Sequence, residues 1–155
     1  MINQQRLSEE FARLAAINSP SLREREIALY LEQRLRALGG EVLYDRAAAA
    51  TGGEVGNLVA RFAATGKETE PLLFSVHMDT VEPGGQVEPV LKDGLFSSAG
   101  DTILGADDNG GTVAIIEALE VGREEGIAHG EIELVVTIAE EIGLVGAKQF
   151  DFGLV

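Results

Sequence analysis

The chain has 155 residues, 45% of them hydrophobic, enough for one domain with a sizeable core. Its 26 acidic residues against 12 basic ones leave a net charge of −14, which argues against nucleic acid or an anionic membrane as a partner. The absence of cysteine removes disulfides, thiolate metal sites and a cysteine nucleophile; with no apolar signal core in Met1 to Arg6 and no run near the ~20 apolar residues of a membrane span, a cytoplasmic location is the default expectation.

In chain order, Leu7, Phe11, Leu14 and Ala15 recur at helical spacing and predict a helix from about Asn3 to Ala16. Ser21-Leu22-Arg23-Glu24 has the capping-box pattern, followed by an apolar stripe of Ile27, Leu31, Leu35 and Leu38 that stops at Gly39-Gly40. Glu41 to Tyr44 and Asn57 to Phe62 read as strands, and Arg46 to Gly53 between them as a flexible loop. Leu72 to Asp79 is an apolar run ending abruptly in polar groups, the pattern of a strand buried on both faces. Gln86 to Asp101 suggests a small hairpin, and Val113, Ile116, Ala118 and Leu119 a helix to about Glu124, closed by Gly126. Glu131 to Ala139 reads as a second buried strand, and Ala147 to Phe150 as a short helix ending at Asp151. Strands alternating with helices imply an α/β sheet whose ligands gather outside the carboxyl ends of the strands.

Three of these segments end in chemistry. His77 and Asp79 are two apart at a strand end, where alternating side chains let both serve one site, although such pairs also close strands with a plain hydrogen bond. Asp107 and Asp108 sit in the glycine-rich turn Gly105 to Gly111, where acids also serve as helix caps; Asp108 reads as a structural turn residue. Glu140 and Glu141 are adjacent carboxylates, which repel unless a cation or a shared proton compensates them. Together they describe a cage of oxygen and nitrogen ligands for a divalent metal.

The motifs His77-Met78-Asp79-Thr80-Val81, Gly105-Ala106-Asp107-Asp108-Asn109-Gly110-Gly111 and Glu140-Glu141-Ile142-Gly143-Leu144 resemble, in order and spacing, the co-catalytic zinc aminopeptidase and carboxypeptidase clan. Within that clan the likeness is to the M20 family and its peptidase T-like members. Asn18-Ser19-Pro20-Ser21 and Gly56-Asn57-Leu58-Val59-Ala60 extend it over nearly the whole chain, while Asn109 departs from the lysine of many members.

The resemblance implies a three-layer α/β/α fold with a mixed, largely parallel sheet, of which residues 1–155 form an incomplete, amino-terminal portion; an inserted dimerisation domain and a carboxy-terminal part lie elsewhere. It implies two divalent ions, zinc first with cobalt or manganese as substitutes. His77 binds one, Asp107 bridges both, Glu141 binds the other, Glu140 is the general base toward a bridging water, and Asp79 orients His77. The implied reaction is hydrolysis of amide bonds in short peptides by a protein that is a homodimer at full length; an N-acyl amino acid amidohydrolase and a catalytically dead binding module are the alternatives. The resemblance also implies a second histidine ligand and another acidic ligand, both beyond Glu141. His129 is no substitute, since it lies about 30 Å away at the far end of a strand rising roughly 3.3 Å per residue, and Asp151 reads as a helix end. The chain alone is therefore expected to bind metal weakly and to be catalytically poor.

Overall fold

The computed structural model describes residues 1–66 and 69–155. Helix α1 (Gln4–Ala16) starts where the Asn3 side chain accepts the Arg6 amide at 3.1 Å. Then follow α2 (Arg25–Ala37), β1 (Glu41–Tyr44), α3 (Ala47–Thr51), β2 (Leu58–Phe62), β3 (Leu72–His77), β4 (Pro89–Lys92), β5 (Leu95–Ser98), α4 (Ala106–Glu124) and β6 (Ile132–Thr137). Two short 3-10 turns, Ala147–Gln149 and Phe152–Leu154, close the chain.

Four strands form one sheet in the order β1-β2-β6-β3, and β4 pairs with β5 as a separate hairpin. Alternation along the strands places Val42, Leu58, Ala60, Val76, Leu134 and Val136 on one face, in register with one another. These residues join one core with Leu14 of α1, Leu31 and Leu35 of α2, and Val113 and Ile116 of α4. On the opposite face Val59 and Val135 are buried, Arg61 pairs with Glu133 at 3.3 Å and also donates to the Leu154 carbonyl, and Leu73 is 48% exposed.

The α/β class and the mixed sheet agree with the sequence reading. Parallel pairing, expected to dominate, is confined among these strands to β3 with β6; β1 with β2 and β2 with β6 run antiparallel. The reason is connectivity. The chain doubles back from β1 to β2 through α3, whereas α4 carries it the length of the sheet between β3 and β6, the crossover that parallel strands need.

Two local expectations also change. The segment 46–53 is not a plain loop, because Ala47–Thr51 forms a helical turn that buries Ala47. β3 is not buried on both faces: it is the sheet's edge strand, and Leu72 and Leu73 at its start are 52% and 48% exposed, while Val76 and His77 at its end are buried. The burial gradient along β3 points to its carboxyl end as the place where the chain packs around polar groups.

α1, α2 and α4 are also joined by charge. Arg6 meets Glu117 at 2.6 Å, and Arg34 spans Glu10 at 3.2 Å and Glu120 at 2.9 Å. Glu10, Glu117 and Glu120 are each buried, so these pairs fix helix placement, since removal of one partner would strand a charge in the interior.

Candidate metal centre

β3 and β6 run parallel with His77 opposite Thr137, so both strands deliver their carboxyl ends to one place. Met78 continues the ladder by donating its amide to the Thr137 carbonyl at 2.9 Å, and Asp79 follows at once. The turn after β6 bears Glu140 and Glu141, and the first turn of α4 brings Asp107 from a third direction. Asp107 has φ −90° and ψ 113°, outside the helical region, so its carboxylate leaves the helix axis instead of capping the helix. Asp108 does the capping, accepting the Gly111 amide at 3.1 Å.

Ligand atoms of His77, Asp107 and Glu141 lie within 4.8 Å of one another. The His77 ring is oriented by its Nδ1, 2.9 Å from the Asp79 carbonyl oxygen and 3.5 Å from the Asp79 carboxylate. Its Nε2 thereby faces the acids, 3.2 Å from Asp107 Oδ1 and 3.8 Å from Glu140 Oε2. The orienting contact is chiefly with the backbone carbonyl of Asp79, where a carboxylate partner was expected. Burial disfavours the imidazolium, but hydrogen bonds to Asp79 and to Asp107 outweigh it and push the His77 pKa up to about 9. Burial also raises Glu141; His77 opposes that shift, and the nearby Asp107, Glu140 and Asp79 add to it. In the metal-free chain the His77 imidazolium balances these acids; once it gives up its proton, His77, Asp107 and Glu141 are three donors of nitrogen and oxygen type that suit a divalent metal, one of them aimed by a second hydrogen bond.

The Asp79 carboxylate is wholly buried behind His77, on the Nδ1 side of its ring. Its Oδ1 accepts the Glu140 amide at 2.8 Å, and its Oδ2 accepts the Glu141 amide at 3.1 Å and the Ser21 hydroxyl at 2.6 Å. Burial alone would raise its pKa; the hydrogen bonds from His77, Ser21 and the two amides win and hold it below the usual carboxylate range. Asn57 braces the same turn from the β2 side. Its side chain accepts the Ile138 amide at 3.0 Å and donates to the Gly146 carbonyl at 3.0 Å and to Asp45 at 2.7 Å. Gly146 has to be glycine here, because a Cβ would stand 2.2 Å from the Ile138 carbonyl oxygen.

Ser21 and Glu24 are residues beside the centre whose local role the sequence reading misplaced. The capping box expected of them does not form: α2 starts at Arg25, and Glu24 at its N-cap makes no side-chain capping bond. Instead Ser21 holds Asp79, and Glu24 Oε1 accepts the amides of Leu22 at 2.7 Å and Ala139 at 3.0 Å. Burial raises the Glu24 pKa against the lowering effect of those amides. The serine-to-glutamate spacing of three was the available signal, and it admits either use.

A cavity of about 450 Å³ opens beside Glu141, lined also by Ser21, Arg23, Thr80 and Ile142. His129 lies before β6 at the opposite end of the sheet, where its carbonyl accepts the Thr65 amide and its amide donates to the Thr65 hydroxyl, and Asp151 caps the last turn through Gly153; neither joins the cluster.

An α/β sheet that gathers histidine, aspartate and glutamate at the carboxyl ends of its parallel pair defines the catalytic-domain fold of a peptidase T-like peptidase. Residues 57–151 match the sequence model of peptidase family M28, and the chain belongs to that family. Aminopeptidase PepT of Bacillus cereus superposes over 99% of this chain and 41% of its own, with a TM-score of 0.96 and 44% identity. A tripeptidase of Staphylococcus aureus superposes over 100% of this chain and 42% of its own, with a TM-score of 0.95 and 42% identity. The uncharacterized protein YqjE of Bacillus subtilis is 43% identical over 155 residues, which are 100% of this chain and 42% of that protein. The chain thus spans about two fifths of the length of each of these three relatives. The peptidase T-like, M20-type likeness read from the three motifs agrees with these matches.

Proposed function

We propose that the chain supplies the first part of the catalytic domain of a metal-dependent peptidase that hydrolyses amide bonds in short peptides. The observation that carries this reading is the meeting of His77, Asp107 and Glu141 within 4.8 Å, with Glu140 Oε2 3.8 Å from the same His77 nitrogen. His77 and Glu141 would each hold one of two divalent ions, zinc in the first instance, and Asp107 would serve both. When bound, such ions polarise the scissile carbonyl and make water acidic enough to attack it near neutral pH.

The remaining work falls to side chains. Glu140 stands next to a ligand in sequence, yet its own carboxylate is half-buried at the edge of the cluster, free to take a proton from the attacking water and to deliver it to the leaving amine. Asp79 keeps Glu140 and Glu141 apart in role by pinning both backbone amides, so that one carboxylate points to the ions and the other to the water. The names of the two superposed relatives, an aminopeptidase and a tripeptidase, support short peptides as the substrate class. Since those relatives are more than twice as long, the remaining ligands and the substrate-binding residues are assigned to the rest of a longer polypeptide.

The test is Glu140→Gln in that longer polypeptide. Peptide hydrolysis is expected to fall by about 10²- to 10⁴-fold, the usual contribution of a general base, with metal content within error of the parent. Loss of metal together with activity would make Glu140 a ligand and overturn the assignment.

A further inference from the structure

Glu24 is completely buried, and the metal-centre reading gives it no part. Its position is unusual in three respects. First, one oxygen, Oε1, gathers two backbone amides from distant parts of the chain, Leu22 and Ala139. Second, both of those residues have left-handed backbone, with φ of 72° and 50°, a conformation costly for residues bearing a side chain and maintained only where surroundings enforce it. Third, Ala139 is the residue immediately before Glu140 and Glu141, whose own amides are held by Asp79. Three successive amides of the site turn are therefore fixed by two buried carboxylates, Ala139 by Glu24 and the next two by Asp79.

The two carboxylates are themselves tied together. Ser21, three residues before Glu24, donates to Asp79 Oδ2 at 2.6 Å. Ser19 accepts the Thr80 amide through its carbonyl at 2.9 Å, and Pro20 bridges to Thr80 in parallel fashion. The segment 19–24 thus lies along the end of β3 and reaches across to the end of β6.

Resting on the metal-centre reading above, we infer that Glu24 is a positioning residue of that centre: its Oε1 fixes the left-handed turn at Ala139 and so sets where the Glu141 ligand and the Glu140 base point. The reach is one step removed from the metal, since Glu24 touches no member of the cluster. Its contact is with the backbone from which both acids spring, and displacement of that backbone by a fraction of an ångström moves both carboxylates together.

The test is a Co²⁺ titration of the longer polypeptide that carries this chain, followed by visible absorption and run on the parent and on Glu24→Gln, Glu24→Ala, Glu24→Asp and His77→Ala. Circular dichroism and a melting curve establish that each variant is folded. Glutamine retains an oxygen where Oε1 sits, so Glu24→Gln should bind Co²⁺ as the parent does, with the same absorption bands. Alanine removes the acceptor and aspartate withdraws it by one methylene; in folded protein both should bind about 10- to 100-fold more weakly, the usual effect of losing a group that orients a ligand. Parent-like affinity in folded Glu24→Ala or Glu24→Asp, with only a lowered melting temperature, would reduce Glu24 to a structural role and overturn the inference. If Glu24→Ala does not fold, Glu24→Asp decides in the same way. The control separates the two readings: Co²⁺ binding unaltered in His77→Ala, or absent from the parent, would overturn the metal centre and the role of Glu24 with it.

Discussion

The Ser21 hydroxyl donates to Asp79 Oδ2 at 2.6 Å across 58 residues of chain, and Asp79 in turn holds the Glu140 and Glu141 amides. The segment before α2 is thereby coupled to the turn after β6. Ser21→Ala removes a hydrogen bond to a buried carboxylate and should cost roughly 1.5–3 kcal/mol in urea unfolding. Asp79→Asn replaces one of the two accepting oxygens by an amide donor, sets it against a backbone amide of Glu140 or Glu141, and should cost more than Ser21→Ala. Equal or smaller loss in Asp79→Asn would mean that the two amides do not depend on the carboxylate.

Acidity enters through His77, whose pKa stands at about 9 in the folded chain against an ordinary 6.5. A group raised in this way stabilises the metal-free fold fully below its unfolded value, and that stabilisation is lost as the pH rises through about 9. Metal-free protein should accordingly be less stable at pH 9.5 than at pH 6, with the difference abolished in His77→Ala. Zinc should reverse the trend. Coordination needs the neutral imidazole, so the stabilisation added by zinc grows across the same interval. Melting curves at the two pH values, with and without zinc, check both signs.

Asn57 offers a prediction about the turn alone. Its side chain serves Ile138, Gly146 and Asp45 from a fully buried position, so Asn57→Ala leaves several polar groups unpaired and should cost about 3 kcal/mol or more. Gly146→Ala meets the Ile138 carbonyl and should likewise destabilise by more than 1 kcal/mol. Hydrogen exchange should report the damage first at the amides of Ile138 to Glu141. If exchange there matches the parent, the turn has its support elsewhere.

Much of this was legible in the sequence. The end of β3 at His77 and the distance of His129 and Asp151 from the cluster follow from alternation and spacing, whereas β6 stops at Thr137, two residues before the expected Ala139, and α4 begins at Ala106 inside the glycine-rich stretch. The edge position of β3 did not, because an apolar run such as Leu72 to Val76 is compatible with either a central strand or an edge strand, and only its pairing partners decide. The antiparallel half of the sheet was hidden for the same reason. Ser21 and Glu24 were misread because their spacing fits a capping box; the hydrogen bonds that draw them away, to Asp79 and Ala139, span 58 and 115 residues and leave no local trace. Asp108 is the turn residue that its place in the glycine-rich stretch suggested, and Asp107 differs from it by backbone angles that composition does not encode.

The most direct measurement is a calorimetric zinc titration of the chain, with His77→Ala and His129→Ala as paired variants. The structure assigns His77 to the cluster and sets His129 at the opposite end of the sheet. Zinc binding, weak in this chain alone, should disappear in His77→Ala and remain unchanged in His129→Ala. Binding that survives in His77→Ala, or that is lost in His129→Ala, would place the metal elsewhere and contradict the account.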